Sequence, residues 1–273
     1  MQNTNTAHEA PLRSFRITVP EPAQSGVAAL LEEEGFRFEP EPFSACCRRL
    51  TAEPRPLGSS LAAFFGLIYI QDRSSMLPPL ALAPEKGAAV LDMCASPGSK
   101  TGFLAQLVGP GGFVLANEVS HSRLFTLRQN LRVCNFLQAG TCSYEGQNIP
   151  LAPGSLRYIQ LDPPCSGWGT AVKNPKVMAL WHDDKVKPLI GLQRLLLRRA
   201  AGLLAPGGVV VYSTCTTNSG ENERQVEYAE ACLGLTREPL APFPAFTGTT
   251  VRGAKAPCAL TGNDPEARAS TWR

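Results

Sequence analysis

The 273-residue chain has a net charge of +3, with 44% hydrophobic and 18% charged residues, a globular rather than a disordered composition. No apolar run approaches the roughly 20 residues of a membrane-spanning helix, and the polar start MQNTNTAHEA lacks the form of a secretory signal, so a cytoplasmic protein without membrane association is expected. Among nine cysteines only Cys46 and Cys47 stand close together, which gives neither a zinc CxxC framework nor a disulfide ladder; reduced thiols and no metal are expected.

FRITV (15–19), a helix through about 25–35, and FRFEPEPFSACCRRL (36–50) predict a small α+β module. The proline-rich TAEPRPLGSS (51–60) reads as the linker after it, so the first domain is placed at 1–60. From about residue 88, short apolar runs alternate with longer amphipathic ones. Strands are expected at 88–93, 112–118, 139–144, 157–162 and 208–215, with helices at 100–108, 122–134 and 188–204. That alternation predicts an α/β domain over 61–246 with a doubly wound, mostly parallel sheet. Residues 247–273 show neither strand alternation nor helical period and read as an atypical, disordered tail.

LDMCASPGSKTGFLAQL (91–107) is a strand ending in an acid, then a loop of small residues, then a helix, the usual seat of a nucleotide-like ligand. A phosphate-binding P-loop aligned on Lys100-Thr101 would need glycine at Cys94 and Ser99, and a dinucleotide GxGxxG is absent. S-adenosylmethionine, which has no phosphates, fits better. Glu118 ends the second strand twenty residues after Gly98, where an acid binds ribose hydroxyls; the competing reading is a solvated acid. Asp92 and Glu145 are further expected contacts, to the methionine end and the adenine side.

Asp162 closes another strand, and Pro163-Pro164 hold the next backbone extended, which delivers Cys165 to the mouth of the sheet. A thiol there suggests covalent chemistry. Carbon 5 of a pyrimidine becomes nucleophilic only after a thiolate adds at carbon 6. VVVYSTCTT (209–217) brings a second thiol, Cys215, to a strand end, and the residues alone do not choose between the two.

Taken together, YIQDRSSM (69–76), LDMCASPGSKT (91–101), ANE (116–118), DPPCSGWGT (162–170) and YSTCTTNSGENERQV (212–226) resemble the Nop/Sun (Fmu) family of RNA cytosine-5 methyltransferases. The resemblance implies a Rossmann-like class I methyltransferase sheet with a small RNA-recognition-like N-terminal module. It implies a monomer that uses S-adenosylmethionine and acts on rRNA or tRNA. It assigns attack on carbon 6 to Cys215, product release to Cys165, and base binding to Asp162. Its cofactor contacts map onto Cys94, Ala95, Ser96, Pro97, Gly98, Ser99, Lys100, Glu118, Arg123 and Asp162, with Glu145 where the family usually has Asp. The family's closing strand is replaced by ALTGNDPEARASTWR, and a back-translation of that tail read one base out of register restores such a strand, so a frame shift is expected. A different reading is an RNA-binding or assembly module whose catalysis was lost with the altered tail. Arg123, Arg128, Arg132, Arg194, Arg198 and Arg199 would track phosphates or else line solvated helix faces.

Overall fold

The computed structural model describes residues 13–171, 174–177 and 184–238, and the backbone of 183 and 258–262. The chain divides after Arg73 into two compact units. The first holds β1 (Ser14–Ile17), α1 (Glu21–Glu33), β2 (Arg37–Glu41), β3 (Ser44–Ala52), α2 (Leu61–Phe64) and β4 (Ile68–Ile70). Its antiparallel sheet runs β2-β3-β1-β4 over a core that includes Phe15, Ile17, Leu31, Phe36 and Leu50. Helix α1 begins earlier than its apolar period suggests, because Pro20 caps it and Pro22 occupies the first turn, where a missing N–H has no partner to lose.

The stretch expected to be a linker is built into this unit. Thr51 and Ala52 end β3, Leu57 is fully buried, and the Ser60 hydroxyl accepts the Ala63 N–H at the head of α2. Prolines there shape a packed connection rather than a tether.

Helix α3 (Arg73–Leu82) precedes β5 (Ala89–Asp92), α4 (Ser99–Val108), β6 (Phe113–Asn117), α5 (His121–Val133), β7 (Ala139–Cys142) and β8 (Leu156–Leu161). Then come α6 (Asp183–Leu203), β9 (Leu204–Tyr212), α7 (Glu223–Leu233), β10 (Leu235–Glu238) and β11 (Cys258–Gly262). The sheet order is β10-β11-β9-β8-β5-β6-β7; β5 to β9 pair in parallel, and β11 is antiparallel to both neighbours. This is the doubly wound α/β architecture read from the sequence. Consecutive strand residues bury to opposite faces, as a covered parallel sheet requires. Leu91, Ile159 and Leu161 pack with Leu196, Leu197 and Ala200 of α6. Val90, Val114 and Ala116 pack with α4 and α5 through Leu104, Val108, Leu124 and Leu127.

Within the tail expected to lack structure, Cys258–Gly262 is a sheet strand, paired on both edges. CALTG mixes small and polar residues in a stretch without period, so its pairing with β9 and β10 identifies it as a strand where its sequence does not. The remainder of the tail, 247–257 and 263–273, lies outside the described residues.

Candidate active site

The parallel strands bring the chemistry-bearing residues to one end of the sheet. β5 ends at Asp92; Glu118 follows β6, Asp162 follows β8, and Cys215 lies three residues past the end of β9 rather than on the strand. β5 sits between β6 and β8, where the winding changes direction and a cleft opens.

The loop after β5 is pinned at several points. Ala95 N–H donates to the Asn117 carbonyl (2.9 Å), and Gly98 N–H donates to the Ala95 carbonyl (2.8 Å). The Ser96 hydroxyl donates to the Arg123 carbonyl (3.0 Å), Arg123 Nη2 donates to the Ser96 carbonyl (3.1 Å), and Asn130 Nδ2 donates to the Pro97 carbonyl (2.7 Å). Gly98 has φ +102°, and a Cβ there would stand 3.0 Å from Leu127, so both backbone and packing demand glycine as the loop enters α4 at Ser99.

Asp92 is buried, and burial raises its carboxyl from 3.8 to about 6 even though Thr101 Oγ1 donates to Oδ2 at 2.7 Å. Its Oδ1 has no hydrogen-bond partner. Glu118 is also buried; its Oε1 accepts the Ser120 N–H (2.9 Å) and its Oε2 lies 3.4 Å from Arg123 Nη2. The cleft beside it is lined by Met93, Val119, Arg123, Glu145, Leu192 and Leu196, among others. Glu145 is exposed on its rim and accepts Asn148 Nδ2 at 2.8 Å. Cys94 also lines the cleft, and burial with the neighbouring carboxylates pushes its thiol far up.

Lys100, on the first turn of α4, reaches Asp162 Oδ2 at 2.5 Å, and the Ser213 hydroxyl donates to Asp162 Oδ1 at 3.2 Å. Burial pushes the Lys100 ammonium down, but the adjacent carboxylate overrides it and holds the lysine above its ordinary value. The thiols of Cys165 and Cys215 stand 3.1 Å apart. The hydrogen bond from Cys165 lowers the Cys215 thiol, and the nearby Lys100 charge acts in the same direction against burial and Asp162. That hydrogen bond, burial and the Cys215 charge push Cys165 well above the usual thiol range. The pair therefore has a thiolate side, Cys215, and a proton-holding side, Cys165. Gly167, at φ +70°, turns the chain after Cys165, and Gly169 N–H donates to the Cys215 carbonyl at 3.0 Å.

Several contributors were not read from the sequence. Asn117 Nδ2 donates to the Met93 and Tyr144 carbonyls, so one buried amide ties three strand ends together. Glu221 is a fully buried acid bonded to the backbone of Ser166, next to Cys165. Of the arginines considered as phosphate contacts, Arg194 stacks on Tyr228 (5.1 Å) and Arg198 bonds the Tyr228 hydroxyl (3.0 Å) while both stay exposed, and Arg199 bonds the Leu151 carbonyl (2.9 Å). Arg128 Nε donates to Thr141 Oγ1 at 2.9 Å.

The profile of the family described as 16S rRNA methyltransferase RsmB/F matches residues 79–236. The ribosomal RNA small subunit methyltransferase F of Serratia proteamaculans is 38% identical over 254 residues, covering 89% of this chain and 53% of that protein. Its counterpart in Shewanella amazonensis is 38% identical over 218 residues, 78% of this chain and 47% of that one. The chain thus spans about half the length of these curated relatives. A solved methyltransferase homologue from Pyrococcus horikoshii superposes with a TM-score of 0.78 at 30% identity, covering 93% of this chain and 88% of that one. NSun6 from Pyrococcus horikoshii with SFG, 18% identical, shares the fold at a TM-score of 0.78 over 92% of this chain and 90% of that one. With more than half of its residues matched, and with the expected motifs at the carboxyl ends of a methyltransferase sheet, the chain belongs to the 16S rRNA methyltransferase RsmB/F family.

Proposed function

We propose that the protein transfers a methyl group from S-adenosylmethionine to carbon 5 of a cytosine in RNA, ribosomal RNA foremost, in the cytoplasm, through a covalent bond between Cys215 and carbon 6. The observation that carries this reading is the thiol pair 3.1 Å apart beside the Lys100–Asp162 ion pair. A single strand-end thiol has many explanations. Two, polarised in opposite directions, suit a reaction that needs a nucleophile first and a proton acceptor later.

The cleft suits the cofactor chemically. Asp92 Oδ1, buried and unpartnered, offers an acceptor for an ammonium; Glu118 offers a carboxylate for ribose hydroxyls, and Val119, Leu192 and Leu196 offer apolar walls for a purine. The bound cofactor supplies an electrophilic methyl group. Lys100 is committed to Asp162, and no cradle of glycine N–H groups is present where phosphates would need one.

In the proposed sequence Cys215 adds as thiolate to carbon 6, and the displaced electron pair makes carbon 5 nucleophilic. Asp162, its charge fixed by Lys100 and Ser213, accepts the amino N–H of the base, and accepts from the ring nitrogen when that nitrogen carries a proton in the adduct. After methylation carbon 5 still bears its hydrogen, and release requires loss of that proton together with departure of the Cys215 sulfur. Cys165 is raised chiefly by its hydrogen bond to Cys215. Once the Cys215 sulfur is bonded to carbon, that effect and the thiolate charge are gone, so Cys165 becomes a stronger acid; it releases its proton to solvent, and the resulting thiolate takes the carbon 5 proton as the Cys215 sulfur departs. The order of events follows from the coupling of the two sulfurs.

Incubation with labelled S-adenosylmethionine and ribosomal RNA, followed by bisulfite sequencing, tests the assignment. Protected cytosines that require Cys215 support it; label in RNA without protected cytosines refutes carbon 5 as the acceptor.

A further inference from the structure

Glu221 is a carboxylate with no solvent exposure in a polar segment, NSGENERQV, that would otherwise be read as surface. Burying such a group is costly unless its oxygens are fully bonded. Its donors come from the segments flanking the thiols. Oε2 accepts the Ser166 N–H (2.9 Å) and Gln193 Nε2 (3.0 Å), and Oε1 accepts the Ser166 hydroxyl (2.5 Å). Gln193 Nε2 also donates to the Pro164 carbonyl at 2.9 Å, so the residues on both sides of Cys165 are tied to one carboxylate.

The second thiol joins through a directed chain. The Ser166 hydroxyl proton is used on Glu221, so across the 2.6 Å contact Thr216 must donate to Ser166 Oγ, and Thr216 Oγ1 in turn accepts the Asn218 N–H at 3.2 Å. Thr216 directly follows Cys215. The carboxylate is itself held in place: Tyr212 donates to the Glu221 carbonyl (2.8 Å), and Asn218 Oδ1 accepts the Gly220 N–H (2.7 Å) within the turn Ser219–Glu221.

The geometry points to Glu221 as the positioning residue of the thiol pair: its carboxylate fixes the separation of Cys165 and Cys215 by gripping the residue after the first and, through it, the residue after the second. The inference rests on the proposed reading of Cys215 as the attacking thiol. Glu221 touches no reacting atom and acts through the loops. Its negative charge alone would disfavour a nearby thiolate, whereas its grip favours one by keeping the Cys165 hydrogen bond short. The two roles therefore have opposite signs.

The test is the pH profile of Cys215 alkylation by iodoacetamide in RNA-free protein, read by peptide mass spectrometry, with folding checked by circular dichroism. Glu221→Gln presents an amide to three donors and must reverse or lose one link of the chain. The expected result is a midpoint about one pH unit higher, or alkylation about tenfold slower near neutral pH. An unchanged or lowered midpoint in folded protein overturns the proposal. If that variant fails to fold, Ser166→Ala, which cuts the link to Thr216 and leaves the carboxylate bonded to Gln193, must shift the midpoint in the same upward direction; no shift overturns the proposal. Because neither RNA nor cofactor is present, the outcome is separable from the functional reading, which fails instead if the RNA adduct survives Cys215→Ala.

Discussion

Cys165 Sγ and Cys215 Sγ lie 3.1 Å apart although fifty residues separate them in the chain. At that distance they share a proton: the hydrogen bond between them lowers Cys215 and raises Cys165, and the Lys100 charge adds to the lowering of Cys215. In free protein at neutral pH, Cys215, which is exposed, should therefore alkylate much faster than Cys165. Peptide mapping after a short iodoacetamide pulse checks the order, and faster labelling of Cys165 would reverse the assignment of roles.

Lys100→Met removes the cation that favours the Cys215 thiolate and leaves the Asp162 charge beside it, unpaired. The Cys215 midpoint should move upward, with alkylation near neutral pH slower by about tenfold for each unit. A midpoint that stays in place would show that Cys165 alone sets the thiolate.

Asp92 supplies a prediction with a defined sign. Its folded value of about 6 lies above the ordinary 3.8, so the folded state binds the proton more tightly than the unfolded state. The cofactor-free protein should lose stability as pH rises from about 4 through 6, by about 3 kcal/mol in all. Asp92→Asn, which keeps an acceptor for Thr101, should flatten that dependence in thermal melts while weakening S-adenosylmethionine binding. Wild-type affinity for the cofactor should rise with pH over the same window, because the ammonium needs the ionised carboxylate.

Glu118→Ala should weaken cofactor binding by about tenfold to a hundredfold in calorimetry, as expected for a buried carboxylate that receives hydroxyl hydrogen bonds. Leu197→Ala, in the core of α6 and not among the cleft-lining residues, should instead cost about 2–5 kcal/mol of stability and change the affinity of the folded protein far less than Glu118→Ala.

What the sequence made legible were features whose cause is local. The strands β5, β6 and β8 are short apolar runs, and the acids Asp92, Glu118 and Asp162 are placed by simple counting from them. What stayed hidden depends on distant segments meeting. Both thiols were marked by their strand-end positions, but their polarisation needs two loops and Lys100 in one place. Glu221 reads as a solvated acid until Ser166 and Gln193 arrive around it. Proline density at 51–60 marked a packed connection as readily as a linker, and β11 lacks the apolar run that marks β5 and β6. The arginines of α6 have the spacing of an exposed basic face, but their contacts to Tyr228 and the Leu151 carbonyl depend on distant segments.

The central claim is that Cys215, and not Cys165, bonds to the base. Mass spectrometry of denatured protein after incubation with 5-fluorocytosine RNA and S-adenosylmethionine tests it most directly, because fluorine at carbon 5 blocks release and preserves the bond. A protein–RNA adduct mapped to Cys215, absent in Cys215→Ala and retained in Cys165→Ala, is the predicted result. An adduct on Cys165, or one that survives Cys215→Ala, would contradict the account.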